Sequence, residues 1–144
     1  MIVLLDTNII MDALQERRPF DIEAKEILKR AQDGKFACMF TANAARDIFY
    51  LYSKARDAKS ARTALDFLLT NYSVVSVTYK DCKAAMLLPI DDFEDALVVV
   101  CAQRANADYI ITRDDKFLKT ASPVKLITPK SFVGYEFEKK YERI

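Results

Sequence analysis

Histidine is missing from all 144 residues. Its absence excludes Ser-His-Asp and Cys-His nucleophile systems and every zinc site built on imidazole. Cysteine is scarce. Cys38, Cys82 and Cys101 are odd in number and scattered, with no Cys-x-x-Cys pair, which points to reduced thiols in a core rather than a disulfide framework. Glycine occurs twice and proline four times, so flexible linkers and low-complexity segments are excluded. No apolar run approaches the roughly 20 residues that span a bilayer. The opening Met1-Ile2-Val3-Leu4-Leu5-Asp6 has neither the basic n-region nor the cleavage site of a signal peptide, and a cytoplasmic protein without membrane association is expected. A net charge of +1 rules out bulk polyanion binding, so any nucleic-acid contact must come from local basic patches.

What is present is a chain 51% hydrophobic, long enough for a real core and expected to form one domain over residues 1–144. Short apolar runs at Ile2 to Leu5, Phe36 to Phe40, Ser73 to Val77, Tyr109 to Thr112 and Val124 to Ile127 read as about five strands, the first two of them buried. Helical patterns lie between them. One is capped by Thr7 or Asn8 and ended by Arg17-Arg18-Pro19, and one is capped by Asp21 and stopped by Gly34. Others run from Asn43, from Asp57 to Tyr72, from Tyr79 to Leu87 and from Asp92 to Asn106, and a last one opens at Thr128-Pro129. The charged tail from Glu136 onward is expected to fray. Strands alternating with helices imply an α/β fold with a mostly parallel sheet and right-handed crossovers.

The most conspicuous stretch is Asp91-Asp92-Phe93-Glu94-Asp95, four carboxylates in five residues ahead of an apolar helix. Helix dipoles favour an acid or two at such a place. They do not explain acids at four separated strand ends or helix starts. Asp6 directly follows the first strand, Asp47 sits early in the helix after the second, Asp95 lies in a first helical turn, and Asp114 comes two residues after the fourth strand. Parallel α/β sheets gather ligands at the carboxyl ends of their strands, so these acids are expected to converge. Asp92 shares a helix face with Asp95, whereas Glu94 points roughly 100° away and is expected to be solvated or paired. Oxygen ligands without His or Cys suit Mg²⁺ or Mn²⁺. Without a histidine base, such an ion must activate the attacking water, and phosphodiester hydrolysis is the natural reaction.

Three segments now carry a resemblance: Val3-Leu4-Leu5-Asp6-Thr7-Asn8, Asp92-Phe93-Glu94-Asp95-Ala96-Leu97 and Ala107-Asp108-Tyr109-Ile110-Ile111-Thr112-Arg113-Asp114. In order, spacing and position they resemble the three acidic motifs of the PIN-domain family, over nearly the whole chain. The resemblance implies a three-layer α/β/α sandwich and a Mg²⁺- or Mn²⁺-dependent endoribonuclease. It also implies a VapC-like toxin with an antitoxin partner and a homodimeric state. It assigns Asp6, Asp95 and Asp114 to metal and catalysis, with Asp47 at the position of the family's second acid. That acid is usually Glu, so the shorter Asp47 leaves direct and water-mediated metal contact both open. Asp92 is an auxiliary metal ligand by its place one turn before Asp95. Thr7, Asn8 and Thr112 are candidates to orient the carboxylates.

Among the cations, Arg113 beside Asp114 is the foremost candidate for RNA phosphate; Arg17, Arg18, Lys54, Arg56, Lys59 and Arg62 are weaker ones. Phe49, Tyr50 and Tyr52 read as core or subunit interface. Asp115 is a candidate cap for the turn at Lys116-Phe117. Two rival readings with an acid after the first strand fail on single residues. A haloacid-dehalogenase-like enzyme needs Asp where Asn8 stands, and a receiver domain needs Asp near Ser76-Val77-Thr78. The remaining alternative is an inactive PIN-like module that binds RNA or protein without cutting.

Overall fold

The computed structural model describes residues 1–142, with side chains through residue 136. Its elements run β1 (Ile2–Leu5), α1 (Thr7–Leu14), α2 (Asp21–Gln32), β2 (Ala37–Thr41), α3 (Ala42–Ala55), α4 (Ala58–Asn71), β3 (Ser73–Val75), α5 (Tyr79–Ala85), α6 (Phe93–Arg104), β4 (Tyr109–Ile111), α7 (Asp115–Leu118), β5 (Lys125–Ile127) and α8 (Pro129–Glu142). The five strands pair in the order β3-β2-β1-β4-β5, and every neighbouring pair is parallel.

That order makes three layers. The chain moves one way across the sheet from β1 to β3, then jumps back past β1 to β4 and continues outward to β5. With right-handed crossovers, the two directions of travel put their helices on opposite faces. The core divides accordingly. Val3, Leu5, Cys38, Phe40 and Ile111 pack with α1 to α4 and with Phe132 of α8. Leu4 and Ile110 pack with α5, α6 and Phe117 of α7. Neighbouring strand residues thus enter different cores, as a period of two requires.

Local chemistry sets the boundaries. Thr41, Asp57 and Thr78 accept hydrogen bonds from the amides of Ala44, Ser60 and Asp81 and so start α3, α4 and α5. The ends of α1, α2 and α6 share one device. The residue after the cap takes positive φ (Glu16 at 51°, Gly34 at 79°, Asn106 at 57°). The next amide then reaches back: Arg17 to the Asp12 carbonyl, Lys35 to Arg30, Ala107 to Ala102. The turn after α1 thereby fixes where Arg17 emerges.

Several expected details shift. The second strand begins at Ala37, and Phe36 leaves it to pack edge-on against Phe132 at 5.1 Å. The third ends at Val75 rather than Val77. Asp21 is no cap; it lies inside α2, buried, with Arg18 at 3.3 Å and Lys25 at 3.5 Å. The charged tail continues α8 as far as Glu142, and the last two residues lie outside the described ones. Among the described residues no helix is long and apolar enough to cross a membrane.

Candidate active site

The carboxyl ends of β1, β2 and β4 and the start of α6 share one edge of the sheet. Asp6 follows β1 at once. Its amide donates to the Ile111 carbonyl at 3.0 Å, which ties it to the end of β4. Its carboxylate, rather than Thr7 or Asn8, caps α1, with Oδ1 accepting from the Thr7 amide at 2.9 Å. Oδ2 accepts from the Thr112 hydroxyl at 2.8 Å and lies 3.5 Å from Asn8 Nδ2. Thr112, fully buried, also accepts from the Asp114 amide at 3.2 Å. One hydroxyl therefore holds two acids that are 108 positions apart.

Asp114 caps α7. Its Oδ1 accepts from the amides of Lys116 and Phe117 at 3.0 and 3.3 Å. Asp115 was the residue expected there; it is instead the first residue of that helix. Asp92 caps α6, with Oδ1 accepting from the Asp95 amide at 3.0 Å. In both caps one oxygen is committed to backbone and the other is left for the cleft.

A cleft of about 500 Å³ is lined by Asp6, Asp47, Asp92, Glu94, Asp95 and Asp114, together with Thr7, Asn8, Met11, Arg17, Tyr50 and Leu51. The electrostatics register this crowding. Asp95 is pushed up to about 7, first by burial and then by the charges of Asp92, Asp6, Asp114 and Glu94. Asp6 is raised by burial despite the Thr112 and Thr7 hydrogen bonds, with Asp114 and Asp92 adding to the rise. Glu94 is raised by burial and by Asp47, Asp6 and Asp92. Behind Asp6 and Glu94, a pocket of about 10 Å³ between Thr41, Asn43 and Val77 is the size of one water.

The donor set fits a hard divalent ion. It is all oxygen, anionic and mutually repelling, and the Asn8 carbonyl oxygen is buried without a partner. Among the described residues no three acids already form a compact ligand group. They line an open cleft.

The raised Asp95 has a measurable consequence. In the unfolded chain this carboxyl titrates near the ordinary value of about 4. Between that value and about 7, the folded metal-free protein holds a proton that the unfolded chain has lost. Stability must fall as pH rises through that window. Melting in EDTA should be higher at pH 5 than at pH 7.5, and Mg²⁺ or Mn²⁺ should flatten the difference. A melting temperature in EDTA that rises with pH across this range would remove the cleft's electrostatic strain as its cause.

A sequence profile described as the PIN domain matches residues 2–116. The chain belongs to the PIN-domain family. No curated protein matches it significantly. Among solved structures, the fold is similar to VapBC2 from Rickettsia felis bound to a DNA fragment from its promoter, at 19% identity and TM-score 0.69, covering 89% of this chain and 98% of that one. It is similar to a toxin-antitoxin complex from Klebsiella pneumoniae, at 22% identity and TM-score 0.66, covering 88% and 97%. It is also similar to VapC20 from Mycobacterium tuberculosis, a sarcin-ricin loop cleaving toxin, at 17% identity and TM-score 0.65, covering 80% and 92%.

Within this PIN domain, Asp6, Asp47, Asp92, Asp95 and Asp114 all line the cleft, with Thr7 and Asn8 beside them and Thr112 beneath. Two expectations need correction. Glu94 is in the cleft, not turned away from it. A helical wheel separates side chains around a lateral face, but this cleft meets α6 end-on, so acids around its first turn reach the same space. Arg113 is not among the cleft residues. Its guanidinium grips the buried Asp12 through two hydrogen bonds of 2.6 and 3.0 Å and lies over the Phe20 ring at 4.2 Å. The cation that does reach the cleft is Arg17. Asp12 carried no sequence signal, because an acid midway along an amphipathic helix reads as surface.

Proposed function

We propose that this PIN domain is a divalent-metal-dependent endoribonuclease, the cytoplasmic toxin of a toxin-antitoxin pair, and that it works as a homodimer. The observation that carries the activity is the convergence of six carboxylates on one cleft, with Asp95 held near 7. Such a concentration of repelling charge at a strand-end edge is a cost to the fold unless a cation is its purpose. The similarity to a ribosomal-loop-cleaving toxin supports RNA as substrate, and the similarity to two toxin-antitoxin complexes supports an antitoxin. Exposed Phe67, Leu69, Met86 and Leu87 supply apolar surface for protein partners.

In this reading Asp6, Asp95 and Asp114 hold Mg²⁺ or Mn²⁺, with Asp92 as a further ligand and Asp47 assisting directly or through water. When bound, the ion lowers the pKa of water and neutralises charge developing on the phosphate. Thr112 fixes the Asp6 carboxylate by donating to Oδ2 and holds the Asp114 backbone by accepting from its amide. Asn8 lines the same cleft, with its side-chain nitrogen 3.5 Å from Asp6 Oδ2 and its side-chain oxygen buried without a partner. Glu94 lines the same cleft, and with no histidine in the chain to compete it would serve as the base for that water.

The test is cleavage of RNA by the purified protein. Activity should require Mg²⁺ or Mn²⁺, stop in EDTA and return when the ion is restored. Calorimetry should show binding of one of these ions at or below millimolar concentration. Absence of binding to either ion would overturn the proposal.

A further inference from the structure

The cleft has a second wall that is not acidic. On α3, Asp47, Tyr50, Leu51 and Lys54 fall at i, i+3, i+4 and i+7, one stripe of the helix. The stripe starts among the carboxylates and runs about 10 Å along the axis. Tyr50 and Leu51 line the cleft, yet the Tyr50 residue is 57% exposed. That is unlike Tyr52, which packs against the core. Lys54 Nζ sits over the Tyr50 ring, 4.7 Å from its centroid. Across the cleft, Arg17 is fixed by its turn and by Nε donating to Gln15 at 2.7 Å, with Asp12 a loose 3.6 Å away. Asp12 already has Arg113, so the half-exposed Arg17 guanidinium keeps capacity for an anion.

We propose that Tyr50, Lys54 and Arg17 form a nucleotide subsite flanking the acidic cleft, in which an unpaired base stacks on the Tyr50 ring while Arg17 and Lys54 take the adjoining phosphates. Lys54 covers one face of the exposed Tyr50 ring and leaves the other for a base, and a ring beside cations is the combination that holds single-stranded nucleic acid, because every base offers a π-face and every linkage a charge. The carboxylates alone repel the substrate backbone; the two cations offset this at the rim and draw the strand across the metal-binding acids. Arg113, locked on Asp12, supports Arg17 by sharing that carboxylate. Tyr50 here is a positioning residue, since it meets the base and not the scissile bond.

The subsite rests on the ribonuclease reading, and two measurements separate them. Wild-type cleavage tests the activity. The subsite is tested by binding of a fluorescein-labelled single-stranded RNA 10-mer to the Asp6→Asn protein, which lacks cleavage and one repelling charge, with further changes at Tyr50 and Arg17. Tyr50→Ala should weaken binding about tenfold, the scale of one lost base stack, and Tyr50→Phe should bind like the parent. Arg17→Gln should weaken binding several-fold and reduce the slope of log affinity against log salt by about 0.7. In the cleaving protein, Tyr50→Ala should raise KM more than it lowers kcat. Equal binding by the Tyr50→Ala variant, loss with Tyr50→Phe as large as with Tyr50→Ala, or no RNA binding at all would each overturn the subsite. If Tyr50→Ala weakens only association with a protein partner, the stripe is a protein-binding surface and the subsite is equally overturned.

Discussion

Asp6→Asn should fold normally and lose more than about 100-fold of metal-dependent RNA cleavage. The size follows from its place. Partners that merely orient metal ligands cost about 10–100-fold when removed, and Asp6 is itself placed among the proposed ligands. The fold should tolerate the change. Asn keeps the outline of Asp and one acceptor for the Thr7 amide, and the Thr112 hydroxyl can turn from donor to acceptor. Burial and the charges of Asp114 and Asp92 already disfavour the ionised carboxylate. Removing that charge should leave the metal-free protein as stable as the parent or more so. The signature is therefore a pair of opposite movements: Mn²⁺ affinity by calorimetry and cleavage both collapse, while the melting temperature in EDTA holds or rises. Asp91→Asn, exposed and outside the cleft, is the control and should change neither. A folded Asp6→Asn protein with undiminished metal-dependent cleavage refutes the assignment.

The strand-end acids were legible in the sequence because two simple rules act together. Parallel sheets bring strand carboxyl ends to one edge, and an acid directly after a buried apolar run has few other reasons to be there. Asp6 and Asp114 satisfy both rules, and Asp95 follows from the helix that opens beside them. What was not legible depended on direction rather than position. Glu94 was misplaced because a wheel cannot say that a cleft meets its helix end-on. The adjacency of Arg113 to Asp114 suggests a phosphate contact. Yet along an extended segment neighbouring side chains diverge, and this one turns to a buried partner 101 positions earlier. In sequence Tyr50 is indistinguishable from Phe49 and Tyr52, which read as core or interface. Only the packing of α1 against α3 shows that one of the three opens into the cleft. Asp21 and Asp115 failed as caps for a related reason. Capping depends on which backbone amides are left free, and in α7 the preceding Asp114 takes them.

The same geometry makes Arg113 a residue on which stability should depend strongly. Asp12 is fully buried inside α1. Its two oxygens are held by Arg113 Nε at 2.6 Å and by a second guanidinium nitrogen at 3.0 Å; Arg17 stands at 3.6 Å. The pairing holds the Arg113 guanidinium above its ordinary range, with the Asp12 hydrogen bonds as the main cause. Truncating Arg113 to Ala leaves a buried carboxylate with one loose partner, and breaking a buried pair this way costs about 3–5 kcal/mol. Arg17 can tighten onto Asp12, which puts the loss toward the lower end, but doing so withdraws Arg17 from the cleft rim. Chemical denaturation of Arg113→Ala should show that loss, with cleavage by the remaining folded protein keeping its kcat. Replacing both partners, as in Asp12→Leu with Arg113→Met, should recover most of the stability, because an apolar pair leaves no charge unmet. If Arg113 instead served RNA directly, Arg113→Ala would leave the denaturation midpoint unchanged and cut the salt dependence of RNA binding. The two readings therefore predict opposite results from the same protein, and the bidentate grip on Asp12 selects the first.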